Sequence, residues 1–370
     1  MSDFIQLHLL VSYPPSNLNR DDLGRPKTAI VGGTQRLRVS SQSLKRAWRQ
    51  SSFFTEALAG HMGVRTKEMG VLIEKSLVSG VHLMDLVADS NTATAVRNPI
   101  SDKDARAAAI LIAGQFGKCK KEDKKDIPEV EQLVHFSPEE ILAIDTLLEE
   151  VALTGKSLAD SDLRLLRKNH TAVDIAMFGR MLASAPEFNT EAAVQVAHAI
   201  TVHATPVEDD YFTAVDDLNR GIEDMGAGHI GEFEFGSGLF YLYVCIDREL
   251  LASHLQGDEV LTDKAVCALC EATVKVSPGG KQNSFASRAY ASYLLAERGN
   301  EQPRSLSVAF LKGVAGSDLL SSSIEQLEQT RDQIDAVYGT TFGSSCRSIN
   351  VSCGSGTFSD IQSFVSGSYD

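Results

Sequence analysis

The chain has 370 residues, of which 43% are hydrophobic and 23% are charged. This balance is typical of a globular protein and excludes a wholly disordered or fibrous chain. The longest continuous apolar run, Leu239 to Ile246, is far shorter than the roughly 20 residues that span a bilayer, so we expect no membrane partner.

The charge is unevenly distributed along the chain. The net charge is −14, yet residues 1–50 carry eight basic and three acidic side chains, a local charge of +5 that leaves −19 for the rest. A basic patch on an acidic body is typical of a protein that binds a polyanion at one place.

The cysteines and the N-terminus indicate a compartment. Six cysteines in so long a chain do not form a disulfide scaffold, and the start Met-Ser-Asp-Phe lacks the basic and apolar regions of a secretory signal. We therefore expect a cytoplasmic protein.

The first predicted element is a strand over Phe4 to Val11, which Pro14-Pro15 ends. A short basic strand, Gln35 to Val39, leads into Ser40-Ser41, whose hydroxyls favour a helix N-terminus. That helix is predicted to run to about Leu58.

Residues 60–200 have mostly helical periodicity. Helices are predicted over Pro138 to Val151 and over Glu191 to Val202, and the lysine-rich stretch Lys118 to Lys125 is predicted to be a solvated loop.

The second half of the chain predicts both element types. The predicted elements are a strand over Phe240–Ile246, a helix over Thr262–Val274, a turn at Pro278–Lys281, strands over Ala289–Leu295 and Leu306–Phe310, and a helix over Ser322–Tyr338. The tail, 344–370, has no assignment. With the insertions removed the order is βαββαβ, which predicts an α+β fold of the ferredoxin-like kind.

The segment Val39 to Arg49 is the most informative for chemistry. Its helical periodicity places Leu44, Ala47 and Trp48 on one apolar stripe. The polar side chains Gln42, Lys45, Arg46 and Arg49 fall on other faces. Cations near a helix N-terminus are opposed by the macrodipole, and an anion there would receive free N–H groups together with the serine hydroxyls and Lys45. Two interpretations stay open: a phosphate-binding site, or the solvated face of an ordinary amphipathic helix.

Three other patterns carry weaker signals. Met225 to Gly231 contains G-x-G-x-x-G, but no strand precedes it and no helix follows, so a flexible glycine loop that exposes Ile230 is favoured over a dinucleotide site.

Asp21-Asp22, Asp209-Asp210 and Asp216-Asp217 are acid pairs that fit either a Mg²⁺ nuclease or solvated turns. Cys267 and Cys270 are predicted to be buried helix cysteines. We expect no catalytic residue, metal or cofactor.

Two methionines close an apolar segment that begins at Thr171. Met177 is predicted to pack in a core. Met181 follows Gly179-Arg180, and we expect it to be exposed as an apolar wedge against nucleotide bases.

Several segments, taken together, resemble the CasC backbone-subunit family of the type I-E CRISPR surveillance complex, Cascade. They occur in family order over about residues 1–285 and are Leu18–Asp22, Val39–Arg46, Val173–Ala176, Gly179–Met181, Ala197–Thr201, Phe212–Leu218, Phe235–Gly238 and Pro278–Gln282.

The resemblance implies a hand-like fold. A ferredoxin-like, RNA-recognition-like palm (1–59 and 241–370, with the C-terminal tail) would bear a large helical fingers insertion (60–202) and a β-hairpin thumb (203–240). It also implies a non-enzymatic subunit that stacks with further copies of itself along the CRISPR RNA, joins the other Cascade subunits and presents the guide to target DNA.

The resemblance further implies roles for individual side chains. The RNA-binding set would be Arg20, Ser40, Gln42, Lys45, Arg46, Arg49, Lys281 and Gln282, with Met181 and Ile230 wedged around a displaced base. The DNA-binding set would be Tyr211 and Phe212 on the thumb and Arg164, Arg167 and Lys168 on the fingers. The alternative is a metal-dependent ribonuclease that cuts target RNA through Asp21 or Asp22, as related backbone subunits do with a loop aspartate.

Overall fold

A computed structural model describes residues 3–89, 94–155, 158–214, 229–339 and 345–367. The chain divides into two compact units. The first comprises residues 1–57, 195–249 and 263–370, and the second comprises residues 58–194 and 250–262. Both element types are present, so the α+β class predicted from the sequence is confirmed.

The described strands are β1 (Phe4–Ser16), β2 (Thr28–Val31), β3 (Thr34–Val39), β4 (Val64–Thr66), β5 (Cys119–Glu122), β6 (Lys125–Val130), β7 (Val134–Phe136), β8 (Val194–Val196), β9 (Ala199–Thr201), β10 (Glu208–Ala214), β11 (His229–Asp247), β12 (Ala291–Gly299) and β13 (Cys346–Asn350). The described helices are α1 (Ser41–Arg49), α2 (Ser52–Ala57), α3 (Met69–Ser79), α4 (Leu83–Val87), α5 (Asp102–Phe116), α6 (Pro138–Thr154), α7 (Val173–Phe178), α8 (Arg248–His254), α9 (Glu259–Lys275), α10 (Gln282–Phe285), α11 (Leu319–Tyr338) and α12 (Phe358–Ser366). None of these helices is both long and apolar enough to cross a membrane.

The first unit is built on one large antiparallel sheet. Its strand order is β13-β12-β1-β11-β9-β3-β2, and β8 and β10 also pair with β11. Strand β1 lies between β11 and β12, with Leu9 opposite Leu242 on one side and Leu294 on the other. Ile5 and Leu10 are fully buried, so β1 is covered on both faces and not on one face alone. It continues past the predicted end, and its pairing becomes irregular between Tyr13 and Ser16, where the two prolines remove N–H donors.

Helix α11 and a short 3₁₀ helix, Ser307–Phe310, cover part of this sheet. Leu10, Tyr293, Phe310 and Leu327 belong to the same buried cluster, which lies between these helices and the central strands. The strand predicted over Leu306–Phe310 is therefore wrong, because Ala309 and Phe310 are buried as one helical turn.

The predicted helix over Glu191–Val202 is also wrong. The segment forms β8 and β9, and Ile200 pairs with Arg38 of β3 and with Tyr241 of β11. A place between two strands supplies backbone partners on both sides, which overrides a helical side-chain pattern.

The second unit has its own core, in which α3, α5 and α6 pack with the short strands around Phe116, Phe136 and Ile144. Helix α6 begins at Pro138, as predicted. The N-cap Ser137 and Glu140 in the first turn form a reciprocal capping box around this proline. The prediction of a loop over Lys118–Lys125 is wrong, because most of these residues belong to the β5–β6 hairpin. Lysines of this hairpin pair with acids on the facing strand, as Lys121 does with Asp126. The cross-strand charge pairs explain why a lysine-rich run pairs as a strand.

Candidate nucleic-acid interface

Helix α1 begins where the sequence predicts it. The Ser40 hydroxyl accepts a hydrogen bond from the Ser43 N–H at 3.3 Å, and the Ser40 carbonyl accepts one from Leu44 at 3.1 Å. Leu44 and Trp48 are buried, which confirms these two residues of the predicted apolar stripe, whereas Ala47 is only partly buried. Packing of this stripe fixes the direction in which the polar face of the helix points.

The C-terminal end of α1 corrects one expectation. The helix stops at Arg49 and does not run to Leu58, so Arg46 and Arg49 lie in its last turn. The macrodipole favours cations there, so these two arginines stabilise the helix. The unfavourable interaction that was expected at the helix N-terminus does not apply to them. The Arg46 Nε donates to Gln50 Oε1 at 3.1 Å, which holds its guanidinium along the helix.

The predicted RNA-binding residues of α1 differ in exposure. Gln42 and Arg46 are exposed, Lys45 and Arg49 are half-buried, and Ser40 is buried as the helix cap. Partial burial lowers the pKa of Lys45 below its ordinary value. A phosphate beside the ammonium group would offset that loss of hydration.

A loop that precedes β2 is held against the start of α1. Asn17 Nδ2 donates to the carbonyls of Gly24 and Glu234, each at 2.9 Å, and Asn19 Oδ1 accepts from the Ser40 N–H at 2.9 Å. Arg20 projects from this loop and is exposed. The two asparagines were not predicted as functional, although their amide side chains in a loop before a strand are the signal that could have indicated them.

The turn before α10 packs onto the same loop. A Cβ on Gly280 would lie 2.2 Å from the Leu18 carbonyl oxygen, so only glycine allows this approach. The loop, α1 and the turn surround one cleft of about 830 Å³. Its lining includes Asn19, Arg20, Asp21, Asp22, Ser43, Arg46, Gln50, Ser277, Gly279 and Gly280. Segments more than 200 residues apart in the sequence therefore converge on one polar cleft, whose charged lining consists of two arginines and two aspartates.

Asp21 and Asp22 lie in this cleft, but Asp21 has a structural task. Its Oδ1 accepts hydrogen bonds from the N–H groups of Leu23 and Arg25, each at 2.9 Å, which closes the loop as an Asx turn. Within the described residues, three metal-ligating side chains come together only at His82, Asp145 and Glu149 in the second unit. There the Arg97 guanidinium lies 2.5 Å from Asp145 and already supplies the positive charge.

Lys281 and Gln282 lie just after the turn and differ in their contacts. The Lys281 Nζ is 4.8 Å from the centre of the Phe233 ring, a cation–π contact with β11. The Gln282 amide donates to the Pro278 carbonyl at 2.8 Å. Gln282 thus holds the turn, while Lys281 places a charge beside an aromatic surface.

The aromatic pair of the predicted thumb lies on β10. Tyr211 is 63% exposed and Phe212 39% exposed, and the Phe212 ring lies 5.3 Å from that of Phe233. Ile230 lies on β11 opposite Thr213, and its side chain is outside the described part of the chain. Residues 225–228 of the glycine motif and the acid pair Asp216-Asp217 also lie outside the described part of the chain.

Met181 belongs to the second unit and is 78% exposed, as expected, whereas Met177 is buried. The neighbouring Arg180 is buried and donates to Glu140 Oε2 at 2.7 Å and to the carbonyls of His135 and Phe188. This buried guanidinium fixes the backbone from which Met181 projects.

The three basic residues predicted to contact DNA also lie in the second unit. Arg164 and Lys168 are exposed. The Arg167 guanidinium donates to the Arg164 carbonyl at 2.8 Å, so it folds back on its own loop. Arg164 and Lys168 are thus the more accessible charges.

The sequence model of a protein family described as CT1975-like protein matches residues 5–363. A solved structure entitled CRISPR RNA-guided surveillance complex, pre-nicking, is similar with a TM-score of 0.76 and 31% identity, over 90% of this chain and 89% of that chain. A second, entitled CRISPR RNA-guided surveillance complex, has a TM-score of 0.59 and 23% identity over 99% and 100% of the two chains, and this likeness shows the fold alone. No curated protein matches the chain.

The chain belongs to the CT1975-like protein family. The predicted resemblance to a subunit family of CRISPR surveillance complexes is confirmed.

Proposed function

We propose that this protein is the guide-RNA-binding backbone subunit of a Cascade-type CRISPR surveillance complex. The observation that carries the proposal is the polar cleft, in which Arg20 and Arg46 meet the turn at Gly280. The solved relative that shares 31% identity is itself part of an RNA-guided surveillance complex.

The cleft suits a polynucleotide backbone. The guanidinium groups of Arg20 and Arg46 and the serine hydroxyls of its lining are donors for phosphate oxygens, and such contacts position a strand without reading its bases. A guide subunit must accept any spacer sequence, so recognition through the backbone alone fits the task.

The sheet supports a ferredoxin-like palm. Strands β12, β1, β11 and β9 lie in that order and each is antiparallel to its neighbour, which is consistent with a split βαβ fold. In this proposal the β10–β11 hairpin acts as the thumb, residues 58–194 act as the fingers, and further copies stack along the guide.

The subunit is proposed to be non-enzymatic, to bind target DNA through pairing with the guide, and to join other subunits of the complex. The presence of Asp21 and Asp22 in the cleft favours one alternative, a metal-dependent ribonuclease. Incubation with target RNA and Mg²⁺ separates the two: cleavage that Asp21→Ala or Asp22→Ala abolishes would establish the nuclease.

The main test is purification of the full chain followed by RNA extraction. We expect CRISPR-derived RNA to copurify. Lys45→Ala with Arg49→Ala should weaken binding equally for all spacer sequences and make it less dependent on salt. Lys264→Ala, which removes an exposed charge on α9, is the matched control. A purified protein free of RNA, or a loss that depends on spacer sequence, would contradict the proposal.

A further inference from the structure

The β10–β11 hairpin has an acidic face near its base. Asp209 lies directly opposite Glu234, and Tyr211 lies opposite Glu232. Because side chains alternate between the two faces of a strand, these four share one face, while Phe233 points to the other. Like charges directly opposite each other destabilise a strand pair, so a cation beside Asp209 and Glu234 would offset their repulsion.

Arg25 supplies this cation from the loop before β2. Its Nε lies 3.1 Å from Glu234 Oε1. The backbone of Arg25 is held at both ends: Asp21 Oδ1 accepts the Arg25 N–H at 2.9 Å, and the Arg25 carbonyl accepts the Asp21 N–H at 2.9 Å. The guanidinium is therefore directed at the hairpin from a fixed point of the loop.

The same loop also forms a wall of the cleft. Asn17 Nδ2 joins the two places, since it donates to the carbonyl of Gly24 in the loop and to the carbonyl of Glu234 in the hairpin, each at 2.9 Å. Of the described loop residues, Arg20 lines the cleft and Arg25 does not. One loop thus presents one arginine to the cleft and another to the hairpin.

The opposite face of the hairpin contacts the other wall of the cleft. Lys281, which follows the turn at Gly280, places its Nζ 4.8 Å from the centre of the Phe233 ring. The Phe285 ring packs edge-on at 5.6 Å from the same ring. The hairpin base is therefore held on both faces, by an aromatic contact on one side and by an ion pair on the other.

We propose that Arg25 is a positioning residue, which holds the base of the β10–β11 hairpin beside the cleft by neutralising Asp209 and Glu234, and which does not itself contact the guide. The position of the hairpin is then coupled to the loop that carries Arg20. The role of this hairpin beside a guide rests on the proposed function, whereas the effect of Arg25 on the hairpin does not.

The test is amide hydrogen exchange of residues 208–214 and 229–235 in the full-length chain without RNA. The wild type is compared with Arg25→Glu and with the charge swap Arg25→Glu/Glu234→Arg, which restores an ion pair, returns the net charge to that of the wild type and keeps a cation opposite Asp209. Lys118→Ala is the matched control, because it removes an exposed ion pair, 2.7 Å long, with Glu131 in the second unit.

We expect the hairpin amides of Arg25→Glu to exchange about three- to tenfold faster than those of the wild type at low salt, because three carboxylates then repel one another where the hairpin opens. The difference should shrink in about 1 M NaCl, which screens exposed charges. The charge swap should restore the wild-type rate, and Lys118→Ala should not change it. A role through packing alone would respond neither to salt nor to the swap.

Binding of a short single-stranded RNA by the same variants tests the link to the cleft. Arg25→Glu should bind the RNA more weakly, and the charge swap should recover the affinity because the hairpin is again held in place. If Arg25 instead contacted a phosphate directly, the swap would leave a glutamate at that contact and the affinity would stay low.

Three results would decide against the inference or separate it from the proposed function. Hairpin exchange in Arg25→Glu that equals the wild type, or that the swap does not slow, refutes the positioning role. Recovery of exchange without recovery of RNA affinity shows that Arg25 contacts the RNA itself and also overturns the proposal. A wild type that does not bind RNA refutes the proposed function, and the exchange rates then still decide the role of Arg25.

Discussion

Asn19 Oδ1 accepts a hydrogen bond from the backbone N–H of Ser40 at 2.9 Å, across 21 residues of sequence. Ser40 is the N-cap of α1, so this bond fixes the loop that carries Arg20 against the start of the helix that carries Lys45 and Arg46. This contact holds two walls of the cleft together.

The first prediction concerns Asn19 itself. Asn19→Ala leaves the Ser40 N–H without its partner, and we expect a loss of about 1 kcal/mol in the free energy of unfolding together with weaker RNA binding. Asn19→Asp retains an acceptor oxygen and should keep the stability, but its negative charge beside the cleft should still lower RNA affinity. Urea denaturation and RNA titration measure the two effects. Wild-type RNA binding by Asn19→Ala would contradict this role.

The second prediction uses two adjacent glycines. Gly280→Ala would place a Cβ 2.2 Å from the Leu18 carbonyl oxygen, so the turn must move away from the loop and RNA binding should fall. Gly279→Ala is the matched control, because no atom lies within 4 Å of its added Cβ. The RNA affinities of the two variants are compared directly. Equal affinities would show that the packing of the turn on the loop does not shape the site.

The third prediction separates Arg180 from Met181. Arg180→Ala would leave the buried Glu140 carboxylate without its cation, with only the backbone N–H groups of Ser137 and Arg167 as partners, which costs about 3 to 5 kcal/mol of stability. Met181→Ala removes a side chain that is 78% exposed, so its stability should stay within about 0.5 kcal/mol of the wild type. If Met181 acts on a base, Met181→Ala should instead alter the reactivity of bound guide nucleotides to base-modifying probes. Unchanged probe reactivity in that variant argues against a wedge.

The fourth prediction concerns the pH dependence of stability. Burial, and then the charge of Arg180, lowers the pKa of His170 from 6.5 to about 4. Between these values the unfolded chain binds a proton that the folded chain does not, so stability is present near neutral pH and falls as the pH is lowered from about 6.5 to 4. Urea denaturation over this range should show a weaker pH dependence in His170→Asn than in the wild type. An identical profile in the variant would mean that His170 is not one of the titrating groups.

Several parts of this fold could be predicted from sequence because their signals are local. Ser40 and Ser137 are N-caps where hydroxyl residues precede apolar periodicity, and the strand predicted over Phe240–Ile246 corresponds to the C-terminal part of β11. The difference between buried Met177 and exposed Met181 also followed from their positions around Gly179.

One error occurred where the partners lie far away in the sequence. Residues 191–202 form strands because β3 and β11 offer their backbone groups to β9, and no feature within the segment reports those neighbours. Other errors were local: α1 ends at Arg49, so the helix macrodipole stabilises Arg46 and Arg49, whereas an unfavourable effect was expected.

The sequence by itself determined the type of elements such as β1, α1, α6, α9 and α11, the basic N-terminal segment and the family motifs, because each depends on residues that are close together along the chain. Only the tertiary structure decided that the Asn19 loop, helix α1 and the turn at Gly280 form one cleft. The reason is physical: a hydrogen bond or a close backbone approach requires two distant segments to be within a few ångströms, and that distance is set by the packing of the whole sheet.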